Sequence, residues 1–253
     1  MRRPATTTRT RALVLLATAA TLLGVVAGPT TAGAGATRAH TRSERAAALE
    51  AGPVLKADYK FKNNRRSPSP SAPALFDVGS GGTSTFATEN VDGVNRTVLR
   101  FPDGNGLQLV AATNVIPRNR YTIVVKFRFD EVADYARVID FSRALADDGP
   151  YVQNGQFVFY PLAEPAGTTI DVDEWVNVVL TRSRAGRLRG YVDGQQVFDF
   201  TDTTAGKMNS LNTLRFFRDN DNREETSGAV SRIRLYNDGM TPAQVAALGT
   251  CGW

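Results

Sequence analysis

Residues 171–200, DVDEWVNVVLTRSRAGRLRGYVDGQQVFDF, constrain the fold more than any other stretch of the chain. They predict three consecutive antiparallel strands: an apolar run led by Trp175, a turn that contains Gly186, and two short strands joined by Asp193 and Gly194. A two-residue Asp-Gly connection between strand-like runs is a strong hairpin signal, because a type I′ turn needs positive φ at both central residues. The stretch therefore predicts an antiparallel sheet.

Most of the remaining chain follows the same pattern. Residues 121–129 alternate strictly between two sets of side chains, which predicts a strand with one buried and one mostly solvated face. Shorter strands separated by Gly, Asp and Asn are predicted at 54–61, 74–78, 85–88, 97–101, 107–110, 137–141, 156–160, 213–218 and 229–236. Near the C-terminus, Thr241, Pro242 and Gln244 predict the N-cap, first residue and capping-box partner of a short helical turn. Closely spaced strands without helical periods between them indicate a β-sandwich.

Residues 1–36 have the pattern of a secretory signal peptide. Four Arg residues precede the apolar run 12–27, and small residues follow it, which predicts cleavage near Ala34 or Ala36 and a secreted protein. The apolar run is shorter than an ordinary membrane span, so we expect no span after cleavage, with a retained membrane anchor as the alternative. Residues 37–52 are predicted to be a spacer that can form a short helix, and residues 53–253 a single domain.

Charge excludes one class of partner. The four Arg residues within 1–36 face no acidic residue, so removing the signal peptide lowers the formal net charge from +5 to +1. Residues 37–52 carry a further +1, which leaves the domain near neutral, without the basic stripe of a nucleic-acid-binding protein.

The single cysteine, Cys251, allows no intrachain disulfide. The single histidine, His40, lies in the spacer, which excludes a histidine-based catalytic triad.

Four segments together resemble a known family. They are WVNVVLTR from Trp175, the hairpin LRGYVDG, the segment SGAVSRIRLYN at 227–237 and the closing TPAQVAAL. In order and spacing they resemble the laminin-G-like branch of the concanavalin A-like lectin and glucanase superfamily, from about Val54 to Leu248. The resemblance implies an all-β jelly-roll sandwich of two antiparallel sheets. It also implies a family in which most members bind glycans or proteins, some with calcium, while certain relatives are glycoside hydrolases.

The catalytic pattern of the related glucanases is missing from the sequence. Those enzymes carry Glu-x-Asp-x-x-Glu on one strand, because glycoside hydrolysis generally needs two carboxylates at a defined separation. The nearest acids, Asp171, Asp173 and Glu174, precede Trp175 and are interpreted as turn residues. We therefore expect a secreted non-catalytic binding module for carbohydrate, either a polysaccharide or a cell-surface glycan, with calcium as a possible aid. The alternatives are a degenerate or unrecognised glycoside hydrolase or lyase of the same fold, and a protein-adhesion module with an extracellular protein as partner.

An acidic loop between two predicted strands is the candidate calcium site, because Ca²⁺ prefers hard oxygen ligands. Its candidate ligands are Asp219, Asn220, Asp221, Glu224 and Glu225. The loop is not an EF-hand, since Glu224 stands where that loop requires Gly. The alternative is a solvated hairpin loop whose acids are neutralised by neighbouring arginines.

The hairpin around Asp193 and Gly194 is the candidate ligand platform. Simple pairing around this turn puts Leu188, Gly190, Val192 and Val197 on one face. It puts Arg187, Arg189, Tyr191, Phe198 and Phe200 on the other. The second set is a hypothetical glycan-binding platform, since sugar rings stack on aromatics and arginines supply hydrogen bonds. In the alternative, a flanking strand, the C-terminal helix or the spacer covers that face.

Overall fold

The computed structural model describes residues 52–249 except 144, 164–165, 205, 220 and 222. The predicted signal peptide, nearly all of the spacer, and Cys251 lie outside the described residues. The strands are β1 (Leu55–Tyr59), β2 (Phe76–Gly79), β3 (Thr85–Val91), β4 (Val94–Phe101), β5 (Asn105–Val110), β6 (Tyr121–Phe129), β7 (Tyr135–Arg137), β8 (Ile139–Asp140), β9 (Gly149–Gln153), β10 (Gln156–Tyr160), β11 (Val176–Arg182), β12 (Arg187–Val192), β13 (Gln195–Thr201), β14 (Thr213–Phe216) and β15 (Gly228–Tyr236). A 3-10 turn covers Ala112–Asn114, and helix α1 covers Pro242–Leu248. Within the described residues, we find no helix with the length and apolar character that a membrane crossing requires.

The largest sheet has eight antiparallel strands. Seven of the strands follow the order β13-β12-β11-β6-β15-β4-β3. The eighth strand, β1, also pairs with β15. The predicted three-strand stretch forms β11, β12 and β13 at one end of the sheet, and β6 has the predicted bounds. Asp193 and Gly194 both have positive φ, at 46° and 83°, so the predicted turn is confirmed.

Two smaller antiparallel sheets form the opposite layer, with orders β2-β5-β14-β8 and β10-β9-β7. They join at Val138, which lies between β7 and β8. Its N–H donates to the Pro150 carbonyl at 3.0 Å, and its carbonyl accepts from the Phe217 N–H at 3.2 Å. The predicted sandwich of antiparallel sheets is therefore confirmed, and its second layer is divided into two hydrogen-bonded parts.

One continuous core fills the space between the layers. Its aromatic contacts cross from sheet to sheet: Phe101 stacks on Phe217 with centroids 4.4 Å apart, and Phe157 lies 5.4 Å from Phe198. Such rings bury a large apolar area and so contribute most to the stability of the core. The described residues contain no cysteine, so no disulfide stabilises this part of the chain.

Helix α1 covers part of the outer face of the large sheet. The Thr241 side chain accepts from the Gln244 N–H, and the Gln244 side chain bonds back to the Thr241 backbone, so the predicted capping box is confirmed. Val245 of the helix belongs to a buried cluster with Val124 of β6 and Tyr191 of β12. The prediction of a mostly solvated face on β6 is therefore wrong, because α1 covers that face at Val124, which is fully buried.

The β12–β13 hairpin departs from simple pairing. Tyr191 pairs with Gln196, but the next residue along β12, Gly190, pairs with Phe198, which leaves Val197 as an extra residue in a β-bulge. Because side chains alternate along a strand, one extra residue moves all later side chains to the other face. Phe198 consequently belongs to the main core instead of the outer face, and the predicted face assignment is wrong from this point onward.

Candidate functional site

Three tyrosines meet on the outer face of the three-stranded sheet. Tyr135 is on β7, Tyr151 on β9 and Tyr160 on β10, while the alternate residues Val152 and Phe157 belong to the main core. The ring centroids lie 5.6 to 6.4 Å apart, and each pair of rings is nearly perpendicular. This edge-to-face geometry is a favourable arrangement for aromatic rings, so the three rings support one another.

A buried ion pair fixes the acidic loop against this tyrosine cluster. Arg137, the last residue of β7, donates from Nε to Asp219 Oδ1 at 2.7 Å, and both side chains are fully buried. The Tyr151 hydroxyl donates to the same oxygen at 3.0 Å. The Arg137 guanidinium also lies 4.0 Å from the centre of the Tyr151 ring. Arginine, tyrosine and aspartate therefore form one unit that positions the loop between β14 and β15.

Three carboxylates of that loop converge. Asp219, Asp221 and Glu224 each offer an oxygen, and these oxygens all lie within 4.8 Å of one another. Burial raises the pKa of Glu224 to about 7, and the neighbouring Asp219 and Asp221 contribute to the rise. The shift means that the site disfavours a full set of negative charges and retains a proton or attracts a cation.

Arginines compensate three acids of the loop. Asp219 pairs with Arg137, Asp221 with Arg223 at 3.4 Å, and Glu225 with Arg218. Glu224 forms no salt bridge within the described part of the chain. Glu224 is therefore the acid of this cluster without a cationic partner among the described residues, which agrees with its raised pKa.

The tyrosines and Glu224 line a small open pocket. Its volume is about 130 Å³, and its lining residues are Tyr135, Asp147, Tyr151, Tyr160 and Glu224. Tyr160 is 41% exposed, so the pocket is accessible from solvent. Aromatic faces can contact the C–H groups of a sugar ring, while carboxylates and tyrosine hydroxyls can bond its hydroxyls. The pocket thus combines apolar contact with a few convergent polar groups, which is typical of small-ligand sites.

The structure separates the predicted metal ligands into three groups. Asp219, Asp221 and Glu224 come together and fit a hard cation by donor type and by charge. Glu225 accepts from the Asp219 N–H at 2.8 Å and pairs with Arg218, so it has a structural role in the loop. Asn220 lies outside the described residues.

The five predicted platform residues do not share a face. Phe198 is buried in the core, where Phe200 packs against it, because of the bulge. Tyr191 lies in the cluster beneath helix α1. Arg187 and Arg189 both pair with Asp199. The helix and the bulge thus bury Tyr191 and Phe198, and Phe200 is half-buried against the core.

The acids before Trp175 behave as turn residues. Glu174 accepts from the Asp171 N–H at 3.0 Å, and Asp173 pairs with Arg128 at 2.8 Å. This agrees with their interpretation as turn residues.

Sequence reasoning missed the tyrosine cluster, although a local signal for part of it exists. Strands β9 and β10 are joined by Asn154 and Gly155, which both have positive φ and form the two-residue turn of a hairpin. An Asn-Gly pair between apolar runs is a strong hairpin signal, and it would have placed Tyr151 and Tyr160 on adjacent strands. Nothing local indicates that Tyr135 joins them.

Comparison with solved structures shows the fold. The chain is similar to domain 4 of AbnA, a GH43 extracellular arabinanase from Geobacillus stearothermophilus, which was solved in complex with arabinotriose. The TM-score is 0.61 and the sequence identity is 14%. The match covers 78% of this chain and 98% of that chain. It is also similar to the binding domain of botulinum neurotoxin DC in complex with rat synaptotagmin II, at a TM-score of 0.54 and 10% identity, covering 78% and 51%.

A third similar structure comes from botulinum neurotoxin type C, whose cell entry is described as dependent on two ganglioside molecules. The TM-score is 0.54 and the identity 11%, with 81% of this chain and 52% of that chain covered. The chain therefore spans about half the length of the toxin binding domains. No curated protein sequence matches the chain significantly.

A family model matches more than half of the 253 residues. The match covers residues 101–246 and is described as Laminin_G_3, of the concanavalin A-like lectin/glucanases superfamily. The matched region contains all three tyrosines, the acidic loop and most of helix α1. The chain belongs to the Laminin_G_3 family of the concanavalin A-like lectin/glucanases superfamily.

Proposed function

We propose that the protein is a secreted, non-catalytic module that binds carbohydrate in the pocket formed by Tyr135, Tyr151, Tyr160 and Glu224. One observation carries this proposal: three tyrosine rings and the carboxyl group of Glu224 line one open pocket on the outer face of a sheet. The rings supply the apolar contact that a sugar ring requires. Glu224 and Asp147 supply acceptors for its hydroxyl groups.

Two of the similar structures support a carbohydrate ligand. The arabinanase domain was solved with arabinotriose, and the type C neurotoxin structure is described in terms of ganglioside binding. The match covers 98% of the arabinanase domain, which supports a binding unit of this size. An arabinose-containing polysaccharide is accordingly the first ligand to test.

A calcium ion at Asp219, Asp221 and Glu224 belongs to the proposal. The donors are hard oxygens, and Glu224, whose pKa is raised because three carboxyl groups converge in a partly buried loop, lies beside the tyrosine pocket. A bound cation would neutralise that charge and hold the loop carboxylates in one arrangement. The ion would therefore order one wall of the pocket.

A glycan array probed with and without a chelator tests the proposed function. We expect binding to a restricted set of glycans that weakens in the chelator, and no release of reducing sugar from the bound polysaccharide. Release of reducing sugar would favour the hydrolase alternative. Binding to protein partners alone, the situation suggested by the neurotoxin complex with synaptotagmin II, would favour an adhesion module.

Calcium should raise the melting temperature of the protein, and the change Glu224→Gln should abolish this effect. At a calcium concentration about 100 times Kd, the stabilisation is about 2.7 kcal/mol. For a domain of this size that corresponds to roughly 5 °C or more. Differential scanning fluorimetry in calcium and in chelator measures the shift.

The exposed Glu131 provides the matched control, since it lies outside the carboxylate cluster. Glu131→Gln should retain the full calcium shift. Without calcium, Glu224→Gln should melt no lower than the unchanged protein, because the amide removes repulsion from two neighbouring carboxylates. The absence of any shift in the unchanged protein would exclude the metal site.

A further inference from the structure

We propose a second binding site, a basic groove between β1 and β4 that holds the negatively charged groups of an acidic polysaccharide. The groove is independent of the tyrosine pocket and shares no lining residue with it. It is a cavity of about 640 Å³, and its lining residues are Lys60, Lys62, Val94, Asn95, Arg96, Thr97, Ser231 and Arg232.

The groove exists because two strands share one edge of β15. Strand β4 pairs with Gly228–Val230, and β1 pairs with residues 233–236, while β6 follows the other edge. Ser231 and Arg232 lie between these two pairings, where the register of β15 against β6 shifts. The two strands therefore diverge at this point, and the cavity opens between them.

Positive charge is concentrated in the groove. A neighbouring cavity of about 660 Å³ shares Lys60 and Lys62 and adds Arg66 to its lining. Among the described residues that line the two cavities, five side chains are cationic and one, Asp58, is anionic. Because residues 53–253 are near neutral as a whole, this excess is a local feature and does not reflect overall composition.

The one carboxylate is already engaged. Arg232 donates to both oxygens of Asp58, at 2.7 and 2.8 Å, and Lys60 lies 3.4 Å from the same group. Burial acts to raise the pKa of Asp58, but the Arg232 hydrogen bond and the nearby positive charges hold it below its usual value. Asp58 therefore stays ionised near neutral pH and neutralises about one of the five cations.

Three of the cations remain without a counter-ion. Lys62, Arg66 and Arg96 form no salt bridge with any described residue, and Arg96 Nε is buried without a hydrogen-bond partner among them. Glu89, which lies opposite Arg96 in the β3–β4 pairing, bonds Arg100 and Arg128 instead. A buried N–H donor without a partner costs free energy, and an anionic ligand oxygen would satisfy it.

The shape of the groove favours a chain-like ligand. The two cavities meet at Lys60 and Lys62, so the cations follow an extended path instead of surrounding one point. Phe61 is the only aromatic residue among the described residues that line the two cavities, and it is 1% exposed, so none of them offers a ring for stacking nucleic-acid bases. An acidic polysaccharide, with carboxylate or phosphate groups at regular intervals, fits these features best.

Titration with polygalacturonate and with a phosphomannan, two polysaccharides that carry carboxylate and phosphate groups respectively, tests the groove and identifies which anionic group it prefers. We expect the double change Lys62→Gln and Arg96→Gln to weaken binding of the preferred polymer about tenfold or more, because two charge-assisted contacts are lost. Binding by the unchanged protein should also weaken strongly as salt rises from about 0.05 to 0.5 M, since salt screens exposed charges.

The matched control removes one lysine and one arginine from exposed positions elsewhere, Arg184→Gln and Lys207→Gln. It should bind the polymer within about twofold of the unchanged protein, because only general attraction is reduced. The double change Tyr135→Ala and Tyr160→Ala should leave polymer binding intact, which separates this site from the tyrosine pocket. Thermal melting should show that all three double variants are folded.

Several outcomes would overturn the proposal. One is failure of the unchanged protein to bind either polymer, and another is equal weakening in the groove and control variants. A third is loss of binding in the tyrosine variant alone, which would assign the polymer to the other pocket. Equal or tighter binding to duplex DNA, or binding to anionic phospholipid vesicles without binding to either polymer, would also contradict it.

Discussion

Replacing Arg137 by alanine should lower the free energy of unfolding by about 3–5 kcal/mol, because it leaves the carboxylate of Asp219 buried without its counter-ion. Both side chains of the pair are fully buried, and Arg137 also bonds the carbonyls of Asp148 and Ala146. Urea denaturation of the two proteins measures the difference.

Two further variants separate a buried charge from a general loss of packing. Arg137→Met with Asp219→Asn leaves no charge at either position and keeps an acceptor for the Tyr151 hydroxyl, so it should recover more than half of the loss. Arg187→Ala breaks a solvent-exposed pair with Asp199 and should change stability little. If Arg137→Ala unfolds at the same urea concentration as the unchanged protein, the pair does not hold the acidic loop in place.

Phe198→Ala should lower the free energy of unfolding by about 3–5 kcal/mol, the usual cost of deleting a buried phenyl ring. The ring is 6% exposed and lies 5.4 Å from the ring of Phe157 in the opposite layer. Urea denaturation again provides the measurement. A stable variant that had lost glycan binding would instead support the platform hypothesis drawn from the sequence.

Gly190 supplies an independent test of the bulge. A Cβ at this position would lie 2.2 Å from the Phe198 ring, closer than any side chain can approach. Gly190→Ala should therefore destabilise the protein by about 1–3 kcal/mol. The same change should cost far less in the Phe198→Ala background, because the clash is then absent. Additive effects of the two changes would contradict the observed pairing of Gly190 with Phe198.

The features that the sequence predicts well depend on residues close together in the chain. The turn at Asp193 and Gly194, the capping box of Thr241 and the bounds of β6 all follow from local chemistry and alternation. The convergence of Asp219, Asp221 and Glu224 is similar, because one short loop carries all three. Predicting these features does not require knowing how the two layers of the sandwich pack.

The features that were missed depend on contacts between distant segments. The bulge at Val197 shifts one strand by a single residue, and its benefit lies in seating Phe198 over Gly190 against the opposite layer. The covered face of β6 requires the position of helix α1. The tyrosine pocket draws on three strands and the acidic loop, and only the Asn-Gly turn between β9 and β10 is visible locally.

Isothermal titration of the tyrosine variants with the strongest glycan from the array tests the central claim most directly. We expect Tyr135→Ala with Tyr160→Ala to weaken binding by roughly fivefold to 150-fold, on the scale of about 0.5–1.5 kcal/mol for each of the two aromatic contacts. Tyr160→Phe, which keeps the ring, should retain most of the affinity. Loss of affinity in the double alanine variant, with normal melting behaviour, is the predicted result. Binding of the glycan by that variant with unchanged affinity would contradict the assignment of the tyrosine pocket as the carbohydrate site.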